Sequence, residues 1–160
     1  MHKFLQETVQ HCMSTPVRAV APETTLGDLL RMFTAHNIDV CPVESDGRLL
    51  GIVAKADILK AFATHQDFML SCNDVLGTTV DEIMSRNVTM VDSAMKLSSV
   101  LRLMNDSHFK CFPVTGTGGR VIGIITRNDL IGALAECNKR QDTPEAYLFG
   151  AQPICSFAIA

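Results

Sequence analysis

Tryptophan is absent from this chain, tyrosine occurs once, and aromatic residues make up only 6% of its 160 positions. A surface that stacks nucleic-acid bases needs such rings, and one that follows a phosphate backbone needs an excess of positive charge. The formal net charge is −3, so both routes are closed and no nucleic-acid partner is expected. Hydrophobic residues reach 47%, yet no apolar run attains the ~18 residues that cross a bilayer, and no membrane partner is expected. The opening Met1-His2-Lys3-Phe4-Leu5-Gln6-Glu7 lacks the apolar stretch and cleavage site of a signal peptide. A cytoplasmic protein is the expectation.

The six cysteines include no Cys-x-x-Cys pair and no zinc-like cluster. Cys41 and Cys111 sit inside apolar strand candidates, where a thiol acts as a small hydrophobe. The five histidines show no metal-ligand spacing. His36 and His108 fall near expected helix C-termini, where a partly positive ring is favourable. There is no Gly-flanked nucleophilic serine, no His-Glu-x-x-His and no phosphate-cradling Gly-Lys-Ser/Thr. Neither a catalytic residue nor a metal is expected, and no cofactor is required.

What the chain does contain is the same message twice. Pro42-Val43 followed by Gly51-Ile52-Val53-Ala54-Lys55-Ala56-Asp57 returns as Pro113-Val114 followed by Gly123-Ile124-Ile125-Thr126-Arg127-Asn128-Asp129. Upstream, Met13-Ser14 matches Met84-Ser85, Leu26 matches Leu97, and Leu30-Arg31 matches Leu101-Arg102. The offset is 84 − 13 = 71 up to the Pro-Val pair and 123 − 51 = 72 at the glycine. One residue has been inserted between those marks. Two copies of one supersecondary unit follow.

Each copy opens with a β-like stretch, Val17–Val20 or Val88–Val91. Leu26, Leu29, Leu30 and Phe33 then mark one face of a helix, as do Leu97, Val100, Leu101 and Met104. Thr24 or Thr25 is the expected N-cap of the first helix and Ser93 that of the second. Strands at 39–43 and 110–114 lead through Asp46-Gly47, or through Gly116-Thr117-Gly118-Gly119, into returning strands at 49–53 and 121–125. The returning strands are almost wholly apolar, so burial of both faces is expected. A second helix starts at once, at Lys55 and Arg127. The fold class is α/β (α+β), two β-α-β-β-α repeats packed about a pseudo-two-fold axis. The expected divisions are an N-terminal segment 1–8, copies at 9–62 and 80–135, a partly apolar linker 63–79 that packs, and an apolar tail 136–160.

The duplicated Pro-Val, Asp-Gly turn, Gly-Ile-Val/Ile strand and helix-opening Asp resemble the tandem CBS-domain pair, or Bateman module, over about residues 9–135. The resemblance implies sheets packed together, pairing of modules into disc-like dimers, and regulatory sensing of adenosine-containing ligands such as AMP, ADP, ATP or S-adenosylmethionine. A homodimer is expected, and the chain is not expected to be an enzyme. From another class, the alternative is a dimerisation or scaffolding module with empty clefts whose apolar tail engages a partner protein.

Two readings of the second copy's strand end compete. Thr126 and Asp129 form a helix-capping pair by type and spacing. The same first turn offers free N–H groups for an anion, a carboxylate for a ribose diol, and Arg127 for phosphate. The resemblance favours the second reading and assigns Thr126, Arg127, Asn128 and Asp129 to a ligand pocket. By the same resemblance this pocket borrows Ser14, Arg18 and Ile38 from the first copy. In the first copy Ala54 replaces the hydroxyl, leaving Lys55 and Asp57 for a weaker cleft that borrows from around Ser85, Thr89 and Phe109. The two clefts are therefore expected to be unequal.

Overall fold

The computed structural model describes residues 3–64, 71–107 and 109–141. A short 3-10 helix at Lys3–Gln6 and α1 (Val9–Cys12) precede the first copy. That copy contains α2 (Leu26–His36), β1 (Val40–Ser45), β2 (Arg48–Ala54) and α3 (Lys55–Thr64). Short helices α4 (Cys72–Gly77) and α5 (Val80–Ile83) follow. The second copy then repeats the order as β3 (Val91–Asp92), α6 (Leu97–Asp106), β4 (Cys111–Thr115), β5 (Val121–Thr126) and α7 (Arg127–Gln141). Both hairpins are antiparallel, and β3 joins β4 in parallel.

Local chemistry explains the shared hairpin geometry. Asp46 and Gly47 both take positive φ, 52° and 72°, which suits a tight two-residue turn between right-twisted strands. The extra residue of the second copy is absorbed by a wider turn with Gly118 and Gly119 at φ 90° and 75°. Thr25 caps α2 by accepting the Asp28 N–H at 3.2 Å. His36 ends that helix as expected, with Asn37 in the left-handed conformation behind it. His108, Phe68, Met69, Leu70 and the tail beyond 141 lie outside the described residues.

Each copy's leader packs into the other copy's core. Val75, Val80 and Met84 join Leu26, Leu29, Phe33, Val43 and Val53 in one cluster. Phe4 and Val9 join Leu97, Val100, Phe112, Val114 and Ile125 in the other. Val9 and Val80 are fully buried; burying each contributes about 1.5–3 kcal/mol. The backbone repeats the exchange: Val9 N–H donates to the Met95 carbonyl at 2.9 Å, and Val80 N–H donates to the Thr24 carbonyl at 2.8 Å. Neither core closes without residues contributed from before the other copy. The linker's Val75 therefore packs, as the apolar content of that stretch leads one to expect.

Three expectations need correction. The opening strands Val17–Val20 and Val88–Val91 shrink to a single bridge from Val20 to Val43 and to Val91–Asp92. Ser14 and Ser85 instead pair with Ile124 and Ile52 of the opposite copy's hairpin, so the residues after them cross between sheets. Ser93 does not cap α6; the Asp92 carboxylate accepts the Ala94 N–H at 2.7 Å, a turn forms, and Lys96 becomes the N-cap. The returning strands are not buried throughout: Leu50 is 37% and Ile122 38% exposed, and burial is confined to the later residues of each strand, which follow the turn.

Candidate ligand clefts at the strand ends

Close contact between the copies begins at a glycine. A Cβ on Gly51 would lie 2.8 Å from the Ser85 carbonyl oxygen and from Met84 Sδ, and one on Gly123 2.6 Å from Met13 Sδ and 3.1 Å from the Ser14 carbonyl oxygen. Only glycine admits the opposing chain there. Ser14 and Ile124 exchange backbone hydrogen bonds at 2.9 and 3.1 Å, and Ser85 and Ile52 do so at 2.9 and 3.0 Å. Each returning strand thus carries a serine of the opposite copy beside its C-terminal end.

At the second copy this seam brings three of the expected site residues into contact. Asp129 Oδ2 accepts the Thr126 N–H at 2.6 Å and the Thr126 hydroxyl at 2.7 Å. Asp129 N–H donates back to Thr126 Oγ1 at 3.3 Å. From the other copy, the Ser14 hydroxyl donates to Asp129 Oδ1 at 2.7 Å. The cap expected from the Thr-x-x-Asp spacing is present, and Ser14 is joined to it. Arg127 and Asn128 are exposed on the same first turn, and Arg18 is exposed on the crossing segment. Among the described residues no hydrogen bond links these three side chains to the cluster. Ile38 is half-buried against the first core.

The first copy is poorer in bonds. Among the described residues Asp57 Oδ2 accepts only the Ala54 N–H, at 2.8 Å. No Ser85 hydroxyl bond to Asp57 occurs among the described residues. Lys55 Nζ donates to Asp39 Oδ1 at 2.8 Å, forming an ion pair. Thr89 is exposed. Phe109 is half-buried and meets Phe112 edge-on, the ring centroids 6.1 Å apart. An open groove beside Asp57 is lined by Lys60, Ala61, Thr64, Glu82 and Ile83.

Two cysteine thiols register the carboxylates of the opposite copy. Burial first, and then the Asp57 charge, push the Cys111 thiol up to about 11. Cys12 is raised by burial, then by Glu7 and by Asp129. Asp39 and Lys110, which directly precede β1 and β4, escaped the sequence reading. Their opposite charges at matched positions three residues before each Pro-Val were the available signal.

Two matched strand–helix junctions, each headed by an aspartate and paired through its strand with a serine of the opposite copy, define a tandem module. The CBS-domain family profile matches residues 9–64 and 80–136. This chain belongs to the CBS-domain family and carries two CBS domains. An uncharacterised protein of Methanocaldococcus jannaschii, MJ1426, is 30% identical over 79% of this chain and 90% of its own length. The CBS domain pair of protein MJ0100, solved in complex with methylthioadenosine and S-adenosyl-L-methionine, superposes with a TM-score of 0.70 at 26% identity, covering 81% of this chain and 97% of that one. CBSX2 in complex with AMP superposes with a TM-score of 0.67 at 26% identity, covering 82% and 98%.

Proposed function

We propose that the protein is a non-catalytic regulatory module that binds an adenosine-containing ligand, of the AMP/ADP/ATP or S-adenosylmethionine type, in the clefts between its CBS domains. The observation that carries this reading is the Ser14–Asp129–Thr126 cluster, a carboxylate at a helix start held by hydroxyls from both copies. A carboxylate so placed suits a ribose diol, and the exposed Arg127 on the α7 first turn supplies a cation for a phosphate. Thr126, Arg127, Asn128 and Asp129 with Ser14, Arg18 and Ile38 make the principal pocket. Lys55, Asp57, Thr89 and Phe109 make the weaker one. The adenosyl ligands of the MJ0100 and CBSX2 structures support the ligand class. Cysteines free of disulfides among the described residues suit the reducing cytoplasm in which we place the protein. Calorimetry with AMP, ATP and S-adenosylmethionine tests the assignment. Asp129→Ala should weaken binding by roughly 1.5–3 kcal/mol, the scale of hydrogen bonds to a charged group, and Asp57→Ala should weaken it less. Equal losses or the reverse order would refute the ranking.

A second reading has its own observation. Leu59 and Ile131, at matched positions on α3 and α7, are 71% and 65% exposed. Apolar residues repeated on two helices suit an isologous homodimer, alone or as a scaffold for a partner protein. Light scattering should report about twice 17.5 kDa; a monomer at tens of micromolar would refute it.

A further inference from the structure

An ionised carboxylate carries about four lone-pair positions on its two oxygens. At Asp129 three of them are taken: Oδ2 accepts the Thr126 N–H at 2.6 Å and the Thr126 hydroxyl at 2.7 Å, and Oδ1 accepts the Ser14 hydroxyl at 2.7 Å. At Asp57 one is taken among the described residues, by the Ala54 N–H at 2.8 Å. The copies thus differ in how much of the carboxylate is left for a guest. A ribose diol donates two hydrogens. Asp57 can accept both as it stands, whereas Asp129 has a single position open.

One donor at Asp129 must therefore leave before a diol is fully accepted, and the way each is held decides which. Thr126 stands three residues before Asp129, and its own oxygen accepts the Asp129 N–H at 3.3 Å, so its two bonds are fixed by the start of α7. Ser14 comes from the other copy, 115 positions away. Its backbone is anchored by the exchange with Ile124 at 2.9 and 3.1 Å. Its hydroxyl, in contrast, is exposed and can turn about a single bond to face solvent. A hydroxyl that exchanges a protein partner for water loses little, because water replaces the bond. The Ser14 hydroxyl is the donor that a diol displaces.

We infer that the Ser14–Asp129 hydrogen bond is a latch, which ties the two copies across the second cleft in the unliganded protein and opens when a ribose diol takes its place on Oδ1. The inference rests on the reading of the clefts as adenosyl sites and adds the regulation of one of them. Filling the second cleft exchanges a bond between the copies for a bond to ligand, so occupancy there is coupled to the contact between the repeats. The first cleft has no such bond to break among the described residues. Arg127 and the Thr126 cap keep the second cleft the fuller site, and the latch sets the ligand concentration at which it responds.

Calorimetry on the full chain tests this with adenosine and with 2′-deoxyadenosine, which lacks one hydroxyl of the diol. Ser14→Ala removes the latch and leaves Asp129 two open positions. It should raise the affinity for adenosine by up to about tenfold, the scale of one hydrogen bond to a charged group, and that for 2′-deoxyadenosine much less. A gain in affinity is a result that misfolding cannot imitate. Urea melts of Ser14→Ala, Asp129→Ala and the double variant read the latch with no ligand present: the combined loss should fall short of the sum of the single losses. Additive losses, an adenosine affinity that Ser14→Ala lowers or leaves unchanged, or an equal gain for both nucleosides overturns the inference. Where adenosine binds and one of these results appears, the latch falls and the adenosyl reading stands. If neither the wild type nor Ser14→Ala binds either nucleoside, both fall.

Discussion

Replacing Ala54 by threonine should complete in the first copy the cap that the second already has. Asp57 Oδ2 accepts the Ala54 N–H at 2.8 Å, matching the Thr126 N–H to Asp129 bond at 2.6 Å. What the first copy lacks is the hydroxyl, which in the second donates to the carboxylate at 2.7 Å and accepts the Asp129 N–H at 3.3 Å. Ala54 is half-buried at the end of β2, a place where a β-branched residue is favoured. An N-cap hydroxyl contributes about 1 kcal/mol, which for a domain of this size raises Tm by about 2–4 °C. Thr126→Ala should lower Tm by a similar amount. Urea and thermal melts of both variants check the pair. Should Ala54→Thr leave stability unchanged while Thr126→Ala lowers it, the matched-cap reasoning fails. If the added threonine stabilises but does not strengthen binding of phosphate-bearing adenosyl ligands, Thr126 is a cap and no part of the site.

Asp129 accepts three hydrogen bonds and Asp57 one, so in urea titrations Asp129→Ala should cost about 2 kcal/mol and Asp57→Ala about 1 kcal/mol; equal costs would contradict this. Gly51→Ala drives a methyl to within 2.8 Å of the Ser85 carbonyl oxygen, and this overpacking should cost about 1–3 kcal/mol by urea melt, whereas an unchanged midpoint would deny the close approach. Burial holds the Cys41 thiol at about 12, and burial with the Asp57 charge holds Cys111 at about 11. Since these folded-state values lie above the unfolded thiol's ~8.5, the stability they contribute is complete below that pH and is lost as pH rises through the folded values. The urea midpoint should therefore fall between pH 9 and 11, less steeply in Cys41→Ala.

The repeat made most of the fold legible. Leu26, Leu29 and Phe33, matched by Leu97, Val100 and Met104, identified α2 and α6 because a buried helix face must recur every three to four residues. The turn at Asp46-Gly47 followed from which residues tolerate positive φ. The exchange of leaders was not legible. Val9 and Val80 read as apolar helix residues whichever core receives them, and only backbone bonds to Met95 and Thr24 decide. Ser93 misled because a cap-forming residue competes with a turn, and Asp92 nucleates that turn. Thr126 and Asp129 were readable from spacing as a capping pair, and the family resemblance is what assigned them to a ligand pocket. Ser14 came in through the family resemblance, and its hydrogen bond to Asp129 spans 115 positions. Asp39 and Lys110 were missed because each looks like an ordinary exposed charge until its strand partner is known.

The central claim, that the paired CBS domains form clefts for an adenosyl ligand, is tested most directly by thermal shift of the full chain against AMP, ADP, ATP, S-adenosylmethionine and methylthioadenosine. A ligand present at 100 times its Kd stabilises the native state by about 2.7 kcal/mol, which corresponds to a Tm rise of about 5–11 °C. The account predicts such a rise with at least one of these compounds, diminished in Asp129→Ala. A cooperative melt that none of them moves at millimolar concentration would contradict it.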